Sequence, residues 1–132
     1  NFSVSANGKF YSRWDYDWFR MSSRIVDFYF ISRIVSNVGD RTVFTYNVDP
    51  LMEDRFLLFL QHYHKAYPLT EPEVLFLQEA YRFFLLNYVV REGNYFFRKS
   101  IATQLQREAF EQHLPNIERV FSAEKILRTL AL

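Results

Sequence analysis

The sequence has no cysteine. That excludes a disulfide framework, a thiolate nucleophile and cysteine-ligated metal. No apolar run approaches the ~18 residues of a membrane span, and no signal-peptide pattern opens the chain. Neither sign of charge dominates: 16 Lys and Arg stand against 15 Asp and Glu, a net charge of +1. No basic stripe tracks along the chain either, so nucleic acid is not an expected partner, and nor is a membrane. Repeats, low-complexity stretches and Gly- or Pro-rich linkers are also missing. The expectation is one cytoplasmic domain covering 1–132.

What the chain has in quantity is aromatic side chains. Phe and Tyr number 15 and 9, and the aromatic fraction is 20%. Large rings dominate burial energetics. A chain this long buries roughly two-thirds of the surface it exposes when unfolded, so these rings can fill a real core. At 49% hydrophobic and 23% charged, the composition is that of a folded domain.

Local signals divide the chain. Asn7-Gly8 lies between two short runs, and this dipeptide tolerates the positive φ of a tight hairpin turn. A β-hairpin over Phe2–Ser5 and Lys9–Trp14 is expected. Beyond it the pattern turns helical. Ser22-Ser23 caps a helix running to about Ser36, and Asn37 and Gly39 stop it. Asp40–Val48 reads as a loop. Asp49-Pro50 starts a helix, with Pro at the first helical position. That helix carries Met52, Phe56, Phe59, Leu60, Tyr63 and Tyr67 as one apolar stripe and ends near Tyr67-Pro68. Thr70-Glu71-Pro72-Glu73 is a capping box. The following helix shows Val74, Leu77, Tyr81, Phe84, Leu85 and Tyr88 on one face, and Gly93 ends it. Tyr95–Gln112 reads as a further helix. Pro115 then breaks the chain before a last stretch, Asn116–Leu130. The fold class is mainly α: a short N-terminal hairpin and a bundle of about five helices packed antiparallel through short connections.

Several residues invite chemical readings. His62 and His64 lie two apart on a helix and face different directions, whereas helical metal pairs use i, i+3 or i+4. A metal site there is not expected. The aromatic runs Phe28-Tyr29-Phe30, Phe83-Phe84 and Tyr95-Phe96-Phe97 read as core before they read as a ligand pocket. Glu53, Asp54, Glu71, Glu73 and Glu79 read as caps and solvated faces, since acidic groups favour helix N-termini. Arg91, Arg98, Lys99 and Arg107 read as a solvated basic face. Asn1-Phe2-Ser3 matches a glycosylation sequon, without further support for a secreted context.

The first third of the chain resembles a known family. Asn1 is followed by the hairpin with its Asn7-Gly8 turn, then by Trp14-Asp15-Tyr16-Asp17, then by Ser22-Ser23-Arg24-Ile25-Val26-Asp27-Phe28. This order and spacing resemble the C-terminal part of small-molecule kinases of the aminoglycoside-phosphotransferase family. There a catalytic loop H-x-D-x-x-x-x-N precedes a hairpin, a metal-binding Asp and a helix start of the type G-P-R-x-x-D-L. Tyr67-Pro68-Leu69-Thr70-Glu71-Pro72-Glu73 resembles the Y…PLTxxE passage of that family's helical subdomain. The sequence departs from the pattern at Arg13 and Trp14, which replace small or apolar residues, and at Ser22-Ser23, which replace Gly-Pro. The family's catalytic His and Asp, and its nucleotide-holding N-terminal lobe, would precede Asn1.

The resemblance implies a division into 1–21, a hairpin and metal-binding segment, and 22–132, a helical subdomain, within a fragment of a larger kinase. It implies that Asn1 and Asp15 hold Mg2+, that Asp17 is a secondary carboxylate nearby, and that Asp27 anchors the catalytic loop. It implies ATP and Mg2+ as cofactors of the complete parent protein, a small hydroxyl-bearing substrate, and the N-terminal lobe as partner. No catalytic residue lies within this chain, which would be inactive alone. Its uncovered apolar surface would favour self-association. The alternative reading is a non-catalytic helical protein-interaction module.

Overall fold

A computed structural model of the chain describes residues 2–13, 22–38 and 45–132. Strands β1 (Phe2–Val4) and β2 (Phe10–Arg13) pair antiparallel. Gly8 takes φ 77°, the left-handed region open to glycine. Its N–H donates to Ser5 O at 2.8 Å, and Ser5 N–H donates to Lys9 O at 2.8 Å. Phe2 pairs with Arg13 and Ser3 with Ser12, but Val4 pairs with Phe10. Tyr11 is therefore an extra residue, a β-bulge that bends the second strand.

The remainder is mainly helical. Ser23 caps a 3-10 turn, Arg24–Asp27, its Oγ accepting from Ile25 N–H at 3.3 Å. Helix α1 (Phe28–Val35) continues from it. A second 3-10 turn, Asp49–Met52, precedes α2 (Asp54–Ala66). Helix α3 (Glu71–Phe84) opens on the Thr70–Glu73 capping box. It widens into a π-helical stretch, Leu85–Arg91. Then come α4 (Gly93–Phe96), α5 (Lys99–Glu108), a π turn at Ala109–His113, α6 (Leu114–Val120) and α7 (Ala123–Leu130).

Helix α1 is wedged between α2 and α3, and consecutive rings do the wedging. Neighbours on a helix point about 100° apart, so Phe28 and Tyr29 enter different clusters while both stay buried. Phe28 meets Phe56, Phe59 and Tyr63 of α2 edge-on, at centroid distances of 6.5, 6.1 and 5.0 Å. Tyr29 meets Tyr81 and Phe84 of α3, each at 4.7 Å. Burying each ring stabilises the fold by about 1.5–3 kcal/mol. Helix α7 packs on both α2 and α3, with Ile126 and Leu130 buried.

Four expected boundaries moved. The helix expected from Asp49 breaks at Glu53, which is extended at ψ 144°. Leu51 and Phe56 are both fully buried, yet five residues apart they would lie some 140° around one continuous helix. The break re-phases the chain so that both reach the core. Gly93 does not end the third helix: Glu92 does, and Gly93 opens α4. The stretch Tyr95–Gln112 is interrupted at Phe97, extended at ψ 151°, whose ring packs on Tyr46 and Tyr88. Pro115 does not break the chain. The preceding π turn takes up the missing N–H and the ring, and the interruption falls at Phe121-Ser122, where Ser122 caps α7. Among the aromatic runs, Phe28, Tyr29 and Phe84 are core, but Phe30, Phe83, Tyr95 and Phe96 are exposed, because three successive residues on a helix sweep some 200° and cannot all face inward.

Candidate functional site

The two residues expected to hold a metal, Asn1 and Asp15, and the secondary carboxylate Asp17 lie outside the described residues. The hairpin between them is described, and it closes on the Phe2–Arg13 pair. Asp27, expected as an anchor for a catalytic loop, sits at the junction of the first 3-10 turn and α1. Its side chain is exposed and makes no capping hydrogen bond. A carboxylate there complements the helix dipole.

Three residues before Asp27, Arg24 forms a clasp. Its Nε donates to Glu73 Oε1 and its Nη2 to Glu73 Oε2, both at 2.8 Å, while Nη2 also donates to Pro68 O at 2.7 Å. Glu73 Oε2 accepts from Thr70 N–H at 2.9 Å and from the Thr70 hydroxyl at 3.0 Å. One carboxylate therefore completes a capping box and pairs bidentately with an arginine 49 positions away. The Arg24 guanidinium, then the Thr70 N–H, hold the Glu73 carboxyl down at about 2. The same contact raises the Arg24 pKa further. The guanidinium also lies over the Tyr63 ring at 5.7 Å. The N-terminus of α1, the α2–α3 turn and the N-terminus of α3 are joined at this point.

A pocket of about 240 Å3 opens at the other end of α1. Arg33, Ser36 and Val38 line it from the end of α1 and just beyond, and Thr45 and Asn47 from the irregular residues before the second 3-10 turn. Asp49, Pro50 and Glu53 complete it from the second 3-10 turn. The backbone at Tyr46 and Asn47 is held by two buried tyrosines: Tyr29 Oη donates to Asn47 O at 2.8 Å and Tyr81 Oη to Tyr46 O at 2.6 Å. Burial raises the pKa of both phenols, so they remain hydrogen-bond donors. Arg33, only 9% exposed, lies 4.6 Å over the Tyr46 ring. Glu53 Oε2 accepts from Asn37 N–H at 2.6 Å, and Arg55 Nη1 donates to Ser36 O at 3.4 Å.

The remaining candidates have structural partners or open faces. His64 Nδ1 accepts from Leu69 N–H at 2.9 Å, and His62 is exposed. Glu79 pairs with Arg82, which also reaches Glu118. Arg91, Arg98, Lys99 and Arg107 are exposed. Among the described residues, no group of three or more His, Asp or Glu is arranged to hold a metal ion, and no helix is long and apolar enough to cross a membrane.

Sequence reasoning reached Glu73 as a cap but missed its partner Arg24, because nothing local links them. It missed the pocket entirely. The one available signal was Arg33, a charge inside the apolar run Ile31–Val35. Compared with known proteins, the chain matches no family model, no curated protein and no solved structure.

Proposed function

We propose that this chain is the C-terminal, helical part of an ATP-dependent phosphotransferase that acts on a hydroxyl of a small molecule, of the aminoglycoside-phosphotransferase type. The observation that carries the reading is the Arg24–Glu73 clasp. Two of the passages that resemble the family, Ser22–Phe28 and Tyr67–Glu73, are far apart in sequence and meet through this contact. The formed hairpin between Asn1 and Asp15 supports it further, since hairpin ends are neighbours.

In this reading Asn1 and Asp15 supply an amide and a carboxylate oxygen, hard donors that suit Mg2+. The ion, when bound, bridges the phosphates of ATP and offsets their charge. Asp17 adds a carboxylate close by. Asp27, exposed at the start of α1, is available to accept hydrogen bonds from the catalytic loop of the parent protein. Phosphoryl transfer is mostly positioning and charge stabilisation, and a base must reach the hydroxyl it deprotonates. The family's base would precede Asn1, so the chain alone is expected to be inactive.

The test uses the complete reading frame. It should encode His-x-Asp with the Asp five residues before Asn1, and its product should transfer phosphate from ATP to a small alcohol. Asp15→Ala should abolish that transfer without unfolding the protein. Absence of an acidic residue at that upstream position would sink the reading. A second measurement needs only this chain: Mn2+ should selectively broaden amide resonances at the Phe2–Arg13 end of the hairpin and spare the Asn7-Gly8 turn.

One observation favours the interaction-module alternative. Val4, Phe10 and Tyr11 of the hairpin and Ile34 of α1 are all more than half exposed. If the upstream test fails, these exposed apolar residues are the place to look for a protein contact.

A further inference from the structure

We propose that His113 makes the joint between α5 and α6 a pH-sensitive switch, closed with a neutral ring inside and open once the ring is protonated. The proposal does not rest on the phosphotransferase reading.

His113 is the last residue of the π turn Ala109–His113, which joins α5 to α6 without a loop. The residue is half-buried. Its Nε2, however, is cut off from solvent and meets no hydrogen-bond partner among the described residues. A neutral imidazole can fit such a place by carrying its one proton on Nδ1. An imidazolium cannot. Both of its nitrogens carry N–H groups, and it adds a charge where no group accepts one.

The joint is also built to yield. Leu114 N–H reaches back five residues to Ala109 O, one residue more than an α-helix holds in a turn. Pro115 follows and donates no backbone hydrogen bond. Releasing the extra residue turns the ring by roughly 100° about the helix axis. A rotation of that size separates His113 from its neighbour Gln112, whose side chain is exposed, so a turned ring can reach water.

The charges around the ring set the direction of the response. Glu108 at the end of α5 and Asp49 of the second 3-10 turn favour the charged form, but burial outweighs them and moves the His113 pKa below its ordinary 6.5. The other charged groups on the turn and on the elements packed against it, Arg91, Lys99, Arg107, Glu111, Glu118 and Arg119, are exposed. A ring that binds its proton more weakly inside than outside favours the open joint as pH falls. The closed joint is therefore fully stable above 6.5 and loses stability as pH falls toward the lowered value.

The experiment follows the isotope-labelled chain by NMR from about pH 7.5 to 5, the range in which histidine switches work. Ring carbon shifts give the His113 titration. Amide protection factors, corrected for the pH dependence of intrinsic exchange, give the opening. The ring should titrate below 6.5. Protection at Leu114 should fall by no more than about tenfold per pH unit, the limit for one proton, and level off below the ring's midpoint. Leu77, buried in α3, should keep its protection. His113→Phe keeps a ring but removes the titrating nitrogens, so the fall at Leu114 should vanish, although His62 and His64 are left in place. The native chain alone can overturn the proposal, whether or not the variant folds. A ring that titrates at 6.5 or above would do so, as would constant protection at Leu114 or an equal fall at Leu77. A folded His113→Phe chain with the native pH response would overturn it too.

Discussion

Replacing Glu73 with Gln isolates the long-range half of the Arg24–Glu73 clasp. Glutamine at the third position of a capping box still accepts from the N-cap backbone, so the local cap survives while the charge facing Arg24 is lost. The Glu73 carboxyl lies at about 2 in the folded chain against an ordinary 4.5. Taken at face value, that span is worth roughly 3 kcal/mol. The two side chains are 36% and 27% exposed, however, and solvent screens them, which brings the expectation to about 1–2 kcal/mol. The sign follows from linkage. A carboxyl depressed in the folded state contributes stability that is complete above its unfolded value of 4.5 and is lost as pH falls through 2. Urea unfolding at pH 7 should therefore show Glu73→Gln less stable than the native chain by about 1–2 kcal/mol. Roughly half or more of that difference should be gone by pH 3. Comparing the two proteins at each pH removes the contribution of the other carboxylates. A cycle with Arg24→Ala should return most of the difference as coupling energy. A pH-independent difference, or coupling below about 0.3 kcal/mol, would refute the reasoning.

Other perturbations test the core and its ties. Phe28→Ala removes the ring that meets three aromatic side chains of α2. It should cost about 3–5 kcal/mol, read as a lower thermal midpoint by circular dichroism. Tyr29→Phe keeps the ring but leaves the Asn47 carbonyl without its donor. It should cost about 1–3 kcal/mol and speed amide exchange selectively over 45–48. Ser122→Ala removes the acceptor for Lys125 N–H at 3.2 Å and should cost about 0.5–2 kcal/mol, with loss of protection confined to the start of α7.

Parts of the candidate site were legible for a definite reason. Glu73 was marked by its distance from Thr70, because a capping box is a contact between residues three apart. Asp27 was marked only through the resemblance, as an anchor for a catalytic loop, and in the described chain its side chain is exposed. The pocket was not legible, since its lining comes from three segments of different conformation and contains no spacing rule. Its wall depends on Tyr29, which the sequence marked as part of a core aromatic run, and on Tyr81, which the helical pattern marked as an apolar face member. What the pattern could not carry is that their hydroxyls would cross to the carbonyls of Asn47 and Tyr46.

The sequence by itself determined the features whose hydrogen bonds close within a few residues. These are the Asn7-Gly8 turn with Gly8 at positive φ, the Ser23 cap, the Thr70–Glu73 box, and helices with one apolar face. Tertiary structure alone decided where the helices yield. The break at Glu53, the π stretches at Leu85–Arg91 and Ala109–His113, and the interruption at Phe97 break no local rule at their own positions. They arise because large rings and fully buried side chains such as Leu51, Phe56 and Phe97 must reach one shared core. Rotating a helix by a fraction of a turn loses less than leaving such a side chain in water, and which side chains compete is known only once the helices have met.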